Sequence, residues 1–314
     1  MQAVFIEAAT ASSAPVFAMM IDTVLPGSEV LPFSIQLKAL LDQEAKYQPK
    51  LCGLRLIESA NDTGLRMTAR LRDFEIRDLL SLTRFFRFSA ETFSLAVNLL
   101  DRFLAQMKVQ PKHLSCVGLC CFYLAVKSVE EERNVPLAND LIRISQRRFT
   151  VSDMIRMEKI IIEKLYWKIK STTALQLLRL YHSHITEQSV SESKKLLNIE
   201  RLEAQLKACH CRFAFSKAKP SVLALAILTL EIQEQKLHEL ADLLQSLQQQ
   251  SNISCRELFF WRELVAKCLA EYSSPKCAKP NNQKLRWIVS GRTARQLKHS
   301  YYRIAHLPTI PEAA

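Results

Sequence analysis

Apolar residues in this chain return every three or four positions, and valine and threonine nowhere alternate with polar residues over a strand length. That period sets the fold class: a repeat near 3.6 lays one apolar stripe along a helix, whereas a half-buried strand needs a repeat of two. Phe93, Val97, Leu100 and Leu104 follow the helical spacing between Glu91 and Ala105, with Ser89 placed to cap the start. Leu114 to Val126 is apolar on every side, as expected of a helix at the centre of a bundle. Five glycines in 314 residues leave no Walker or Rossmann fingerprint, which excludes both kinds of phosphate-cradling fold.

The same reading gives two sets of five helices. The first has one helix near Glu75 to Phe86, then Glu91 to Ala105 and Leu114 to Val126. A short helix with Leu141, Ile142 and Ile144 follows, and then Met154 to Tyr166, opened by Thr150 and Asp153 at capping-box spacing. The second set is Thr173 to His182, Ile199 to Phe215, Pro220 to Glu231, Leu237 to Gln249 and Glu257 to Tyr272, with Thr186 to Lys195 as a surface loop. Two sets of five suggest an internal duplication. The expected architecture is all-α: a disordered tail over 1–34, an N-terminal helical region over 35–172, a second helical unit over 173–272 and a basic extended tail over 273–314.

Charge is concentrated at one end. The formal net charge is +12, and Lys276, Lys279, Lys284, Arg286, Arg292, Arg295, Lys298 and Arg303 supply eight positive charges in a stretch without Asp or Glu. Such a tail reads as a nucleic-acid patch, a nuclear-import signal or a solvated extension. The charges are dispersed rather than clustered as an import signal would have them, and direct nucleic-acid binding ranks last, because Trp287, Tyr301 and Tyr302 follow no stacking spacing. No apolar stretch reaches the roughly 18 residues of a membrane span. The apolar first 30 residues lack the basic start of a secretory signal. Nine scattered cysteines, an odd number, read as reduced thiols of a nuclear and cytoplasmic protein.

Candidate chemistry is sparse. Cys116 and Cys120 share a helical face with Cys121 nearby, and Cys209, His210 and Cys211 are consecutive, yet neither group completes four zinc ligands. His182 and His184 have no nucleophile or carboxylate in a recognisable arrangement. The sequence therefore gives no reason to expect an enzyme, a metal or a cofactor.

The segments ETFSLAVNLLDRFL, KHLSCVGLCCFYLAVKSVEE and VSDMIRMEKIIIEKLYWKI, in that order, resemble the first cyclin box over about Leu71 to Thr173. A divergent second box over Thr173 to Tyr272 carries AKPSVLALAILTLE, similar to the third helix of that repeat. KACHCRFAFSKAKPS and the HLPTIPE ending resemble the G-type cyclins. The resemblance implies a non-catalytic regulatory subunit of a cyclin-dependent kinase, acting in cell-cycle control. It implies that Arg72 and Asp101 pair to lock one helix onto the next, and that Lys127 and Glu158 contact the kinase. Cys116 stands where the family usually has leucine. Glu75 and Asp78 replace the leucine and tryptophan of the family's substrate-docking patch, which removes that apolar surface.

The C-terminus supplies the alternative, an adaptor that targets protein phosphatase 2A with the cyclin fold as scaffold. Leu307, Ile310 and Glu312 look like the short motif that docks on the B-prime regulatory subunit of that phosphatase, and G-type cyclins as a family are linked to that subunit. Pro308 and Pro311 bias the peptide toward an extended form, which lowers the ordering cost of docking.

Overall fold

The structure is a computed structural model that describes residues 31–61, 66–189 and 196–273. Those residues are helical, with no strand among them. The helices are α1 (Phe33–Lys46), α2 (Leu51–Glu58), α3 (Ala69–Phe86), α4 (Ala90–Gln106), α5 (Pro111–Val129), α6 (Ala138–Ile144) and α7 (Val151–Lys164). They continue as α8 (Ala174–Gln188), α9 (Ile199–His210), α10 (Pro220–Glu234), α11 (Ala241–Gln250) and α12 (Cys255–Ser273).

Two hydrophobic cores organise them. Helices α3 to α7 enclose the first, joined by Leu54 and Ile57 of α2 and by Cys211 and Phe213 from beyond α9. Helices α8 to α12 enclose the second, which also takes Leu37 and Leu40 of α1. Tyr272 packs against both. The N-terminal helix thus crosses the chain to serve the second core, and Glu44 anchors it there. Its carboxylate accepts from the Ser221 backbone N–H at 2.5 Å and from Ser221 Oγ at 2.8 Å, capping the N-terminus of α10 from outside.

Several boundaries depart from the periodicity. Residues 33 and 34, assigned to the tail, open α1. Helix α3 starts at Ala69, where the Thr68 hydroxyl accepts from Leu71 N–H, six residues before the expected start. The expected Ile199–Phe215 helix stops at His210, and a 3-10 turn over Phe213–Lys217 follows. Helix α8 runs on to Gln188 into the expected loop, of which residues 190–195 lie outside the described residues. A 3-10 turn at His238–Leu240 precedes α11. Helix α5 has the length and mean hydropathy of a membrane span, which its shorter uncharged run did not suggest. Its apolar side chains are spent on the first core, with Leu119, Cys120, Cys121, Phe122 and Val126 fully enclosed.

Candidate functional site

Helix α5 is pinned at its C-terminal end. Glu130, just past the helix, accepts from Ser89 N–H at 2.8 Å and from Thr92 Oγ1 at 2.6 Å, the first turn of α4. Helix α7 starts at a true capping box: Thr150 Oγ1 accepts from Asp153 N–H at 3.2 Å and Asp153 accepts from Thr150 N–H at 2.9 Å. Cys120 Sγ donates to Met154 O at 3.5 Å and ties α5 to α7. Lys127, in the last turn of α5, then meets Glu158 in the middle of α7.

The Lys127 Nζ to Glu158 Oε1 distance is 2.8 Å. The Lys127 side chain is 39% exposed and that of Glu158 13%. Burial pushes the Glu158 carboxyl above its usual range, although Lys127 pulls it back. The Lys127 ammonium also lies 4.5 Å from the centre of the Tyr123 ring, a second anchor for the same charge. Ile155 and Ile162, three residues before Glu158 and four after, share its side of the helix. Ile155 is exposed, and Ile162 is half-buried.

Beyond α7 the chain does something costly. Tyr166 and Trp167 sit consecutively at φ 55° and 61°, the left-handed region that suits glycine. Tyr166 N–H bonds Glu163 O at 3.0 Å and Trp167 N–H reaches back to Ile162 O at 2.9 Å, a helix-ending turn usually built on glycine. Both aromatic rings nevertheless point outward, 71% and 77% exposed. Strain of about 1–3 kcal/mol per residue is tolerated where a site requires it. The charged pair and exposed Ile155 on α7, with two exposed aromatics just past its end, give polar and apolar groups of the kind that meet a protein partner.

Arg72 and Asp101 are also brought together. Arg72 Nε donates to Asp101 Oδ1 at 2.9 Å and Nη2 to Oδ2 at 2.7 Å, a bidentate fork between α3 and α4 with Arg72 1% exposed. The third arm was invisible in the sequence: Nη1 donates to His210 O at 2.6 Å, so the fork also holds the end of α9. His210 Nε2 lies 3.2 Å from Ser94 Oγ, and enclosure, then the Arg72 charge, pushes the imidazole down to about pKa 3. This histidine is a neutral packing group. Cys209 and Cys268 approach each other across α9 and α12, and their hydrogen bond, then burial, pushes the Cys209 thiol up.

The two acids in the position of the docking patch behave differently from each other. Glu75 turns inward, 3% exposed, against Gly118 of α5, where a Cβ would stand 2.3 Å from its Oε1. Arg147 donates to Glu75 at 3.1 Å and to Asp78 at 3.2 Å. Burial wins over that arginine and raises the Glu75 pKa to about 8. Phe74 beside them is 58% exposed. Leu307, Ile310, Glu312 and the tail cations lie outside the described residues. Arg147 and Glu130 carry no sequence signal that marks them, since each acts through a contact with a distant segment, whereas Tyr123 stands one turn before Lys127 on the same helix.

Residues 36–170 match the cyclin N-terminal domain. Cyclin-G1 of Bos taurus is 74% identical over 277 residues, covering 88% of this chain and 94% of that protein. The chain belongs to the cyclin G family. Cyclin-G2 of Mus musculus is 54% identical over 288 residues, 92% of this chain and 83% of that protein. Among solved structures, a viral cyclin from herpesvirus saimiri shares the fold with a TM-score of 0.57 at 20% identity, covering 76% of this chain and 99% of that one. This G-type cyclin is thus a regulatory protein by class. The KACHC segment that resembles the family runs through His210, whose carbonyl the Arg72 fork holds.

Proposed function

We propose that this G-type cyclin is a non-catalytic regulatory subunit that binds a cyclin-dependent serine/threonine kinase through the Lys127–Glu158 face and acts in cell-cycle control in nucleus and cytoplasm. The observation that carries the reading is the partly exposed pair at 2.8 Å, on a helix that also exposes Ile155 and is followed by exposed Tyr166 and Trp167. Kinase chemistry needs a lysine–glutamate pair formed between a strand and the mobile C-helix of the kinase. A rigid helical face that binds only the formed state shifts the kinase toward it by its differential affinity. Lys127 and Glu158 offer a donor and an acceptor for charge-assisted bonds that fix the docking angle. The test is co-purification from cells with tagged full-length protein. Lys127→Ala/Glu158→Ala should remove the kinase, since truncating one partner of such an interface pair costs about 2–5 kcal/mol. Unchanged kinase recovery would exclude this face.

A second reading rests on a sequence feature, the Leu307, Ile310 and Glu312 spacing. It makes the tail a docking peptide for the B-prime subunit of protein phosphatase 2A, with the two apolar residues in pockets and Glu312 on a basic residue. Leu307→Ala/Ile310→Ala should then abolish phosphatase recovery and spare the kinase. The two readings rest on different residues, so both can hold together.

A further inference from the structure

A second surface lies away from that face. Helices α3, α9 and α12 wall a groove of about 980 Å³. Its lining includes apolar Leu80, Phe88 and Leu269 and four alanines. Ala204 and Ala208 are one turn apart on α9, and Ala266 and Ala270 are one turn apart on α12. Small side chains on two walls let another helix backbone come close, while the larger apolar residues take its apolar side chains.

The rim is cationic and asymmetric. On the α9 side each cation is already matched: Arg201 bonds Glu231 and Glu234, Lys207 lies 3.9 Å from Glu203, and Arg212 bonds Glu271 at 2.6 Å. On the α3 side Arg84 and Arg87 also line the groove, both exposed, and neither has a carboxylate partner among the described residues. Arg87 is held at φ 58° as the cap of α3, which fixes its backbone at the groove edge. One wall thus presents guanidinium groups with nothing to bind, beside an apolar lining. The basic tail follows Tyr272 in sequence, and its eight cations and lack of acids make it a poor occupant of a cationic groove.

We propose that this groove docks an acidic amphipathic helix of a partner protein, its carboxylates on Arg84 and Arg87 and its apolar face on Leu80, Phe88 and Leu269. Charge complementarity would speed the encounter and make binding weaken with salt, while the apolar lining gives the retained affinity.

The probe is a fluorescein-labelled 16-residue helical peptide with leucine and alanine on one face and glutamate on the other, followed by anisotropy with the full chain. Binding should weaken at least tenfold with Arg84→Glu/Arg87→Glu and less with the milder Arg84→Gln/Arg87→Gln, both retaining the wild-type circular dichroism. A peptide with glutamine in place of glutamate should also bind at least tenfold more weakly, and Lys127→Ala/Glu158→Ala should bind as wild type does. The proposal falls if the probe does not bind, or binds the arginine variants as it binds the wild type. It falls equally if a 16-nucleotide thymidine strand displaces the probe at the same concentration, which would make the groove a general polyanion site. Displacement by a peptide of residues 1–30, which carry Glu7, Asp22 and Glu29 and no Lys or Arg, would instead make the occupant this chain's own N-terminus.

Discussion

Each core is built around one nearly all-apolar helix, α5 in the first and α10 in the second, yet the two are finished differently. Helix α10 is buried from Ser221 to Ile232 apart from half-buried Thr229, and an extra helix, α1, closes its N-terminus through Glu44. Helix α5 receives no such cover at its C-terminal turn, where Lys127 emerges beside Glu158. Two similar five-helix frames can therefore diverge by what is laid over the central helix. Covering it makes a closed unit; leaving one end bare leaves a face for another molecule. Both halves also bury charge. The first holds the Arg72–Asp101 fork and the Glu75–Arg147 pair in its interior, while the second encloses Glu231 against Gln205 and Arg201 and uses the Glu44 carboxylate to cap a helix.

The sharpest break of that comparison is at Asp101. Asp101→Ala leaves a fully buried guanidinium without its bidentate partner, with only the longer Asp73 contact at 3.3 Å, at a cost of about 3–5 kcal/mol. Because Arg72 also holds His210 O, the loss should reach both halves, and urea denaturation should show one transition shifted to lower midpoint. Two separated transitions would show that the fork serves the first half alone.

Glu75 comes next and gives the first half a pH dependence of its own. Its folded pKa is raised to about 8 from 4.5, so the folded chain holds a proton that the unfolded chain has released. The contribution is fully present below 4.5 and is lost as pH rises to about 8. Wild-type stability minus that of Glu75→Gln should decline across this window, by up to about 1.4 kcal/mol per pH unit. A difference that is flat with pH would mean that Arg147 keeps the carboxylate ionised throughout.

Covering the second half is a smaller matter. Glu44→Ala removes the acceptor of Ser221 N–H and Oγ and should cost about 1–2 kcal/mol by thermal melting. Glu44→Gln should restore part of it, since an amide oxygen still accepts. An unchanged melting temperature for Glu44→Ala would show that α1 is held by Leu37, Leu40 and the Thr172 hydroxyl without help from Glu44.

What could be read from sequence divides along the range of the interactions. The Thr150–Asp153 box and the Pro220 start are local, and both stand where the spacing put them. Helix α3 starts earlier than expected because its charged first turns, Arg72, Asp73 and Glu75, break the apolar stripe that sets the expected start. In the fold Arg72 and Glu75 face inward, and partners 29 and 72 residues away make that possible. Helix α1 left almost no stripe, since its buried residues are Leu37, Leu40 and the acid Glu44. The meeting of Lys127 with Glu158 came from the family resemblance, while Tyr123 beneath the ammonium and the left-handed aromatics after α7 needed the fold.

The smallest expected effect is the most telling for the open face. A double-mutant cycle on Lys127 and Glu158 should give a coupling below about 1 kcal/mol in the isolated protein. Lys127 is 39% exposed, so water and salt compete for its charge, and its Tyr123 contact persists when Glu158 is gone. Burial raises the Glu158 carboxyl, so part of what the ion pair gains is spent on desolvation. A pair that contributes so little to the fold can exchange partners at little cost when another surface arrives, which the Arg72–Asp101 fork cannot do. Adding the kinase should then raise the sensitivity of binding to either substitution well above the sensitivity of stability. A coupling of about 3 kcal/mol or more in the free protein would make the pair a structural lock like the fork. The contrast between a closed second half and an open first half would then lose its central residue pair.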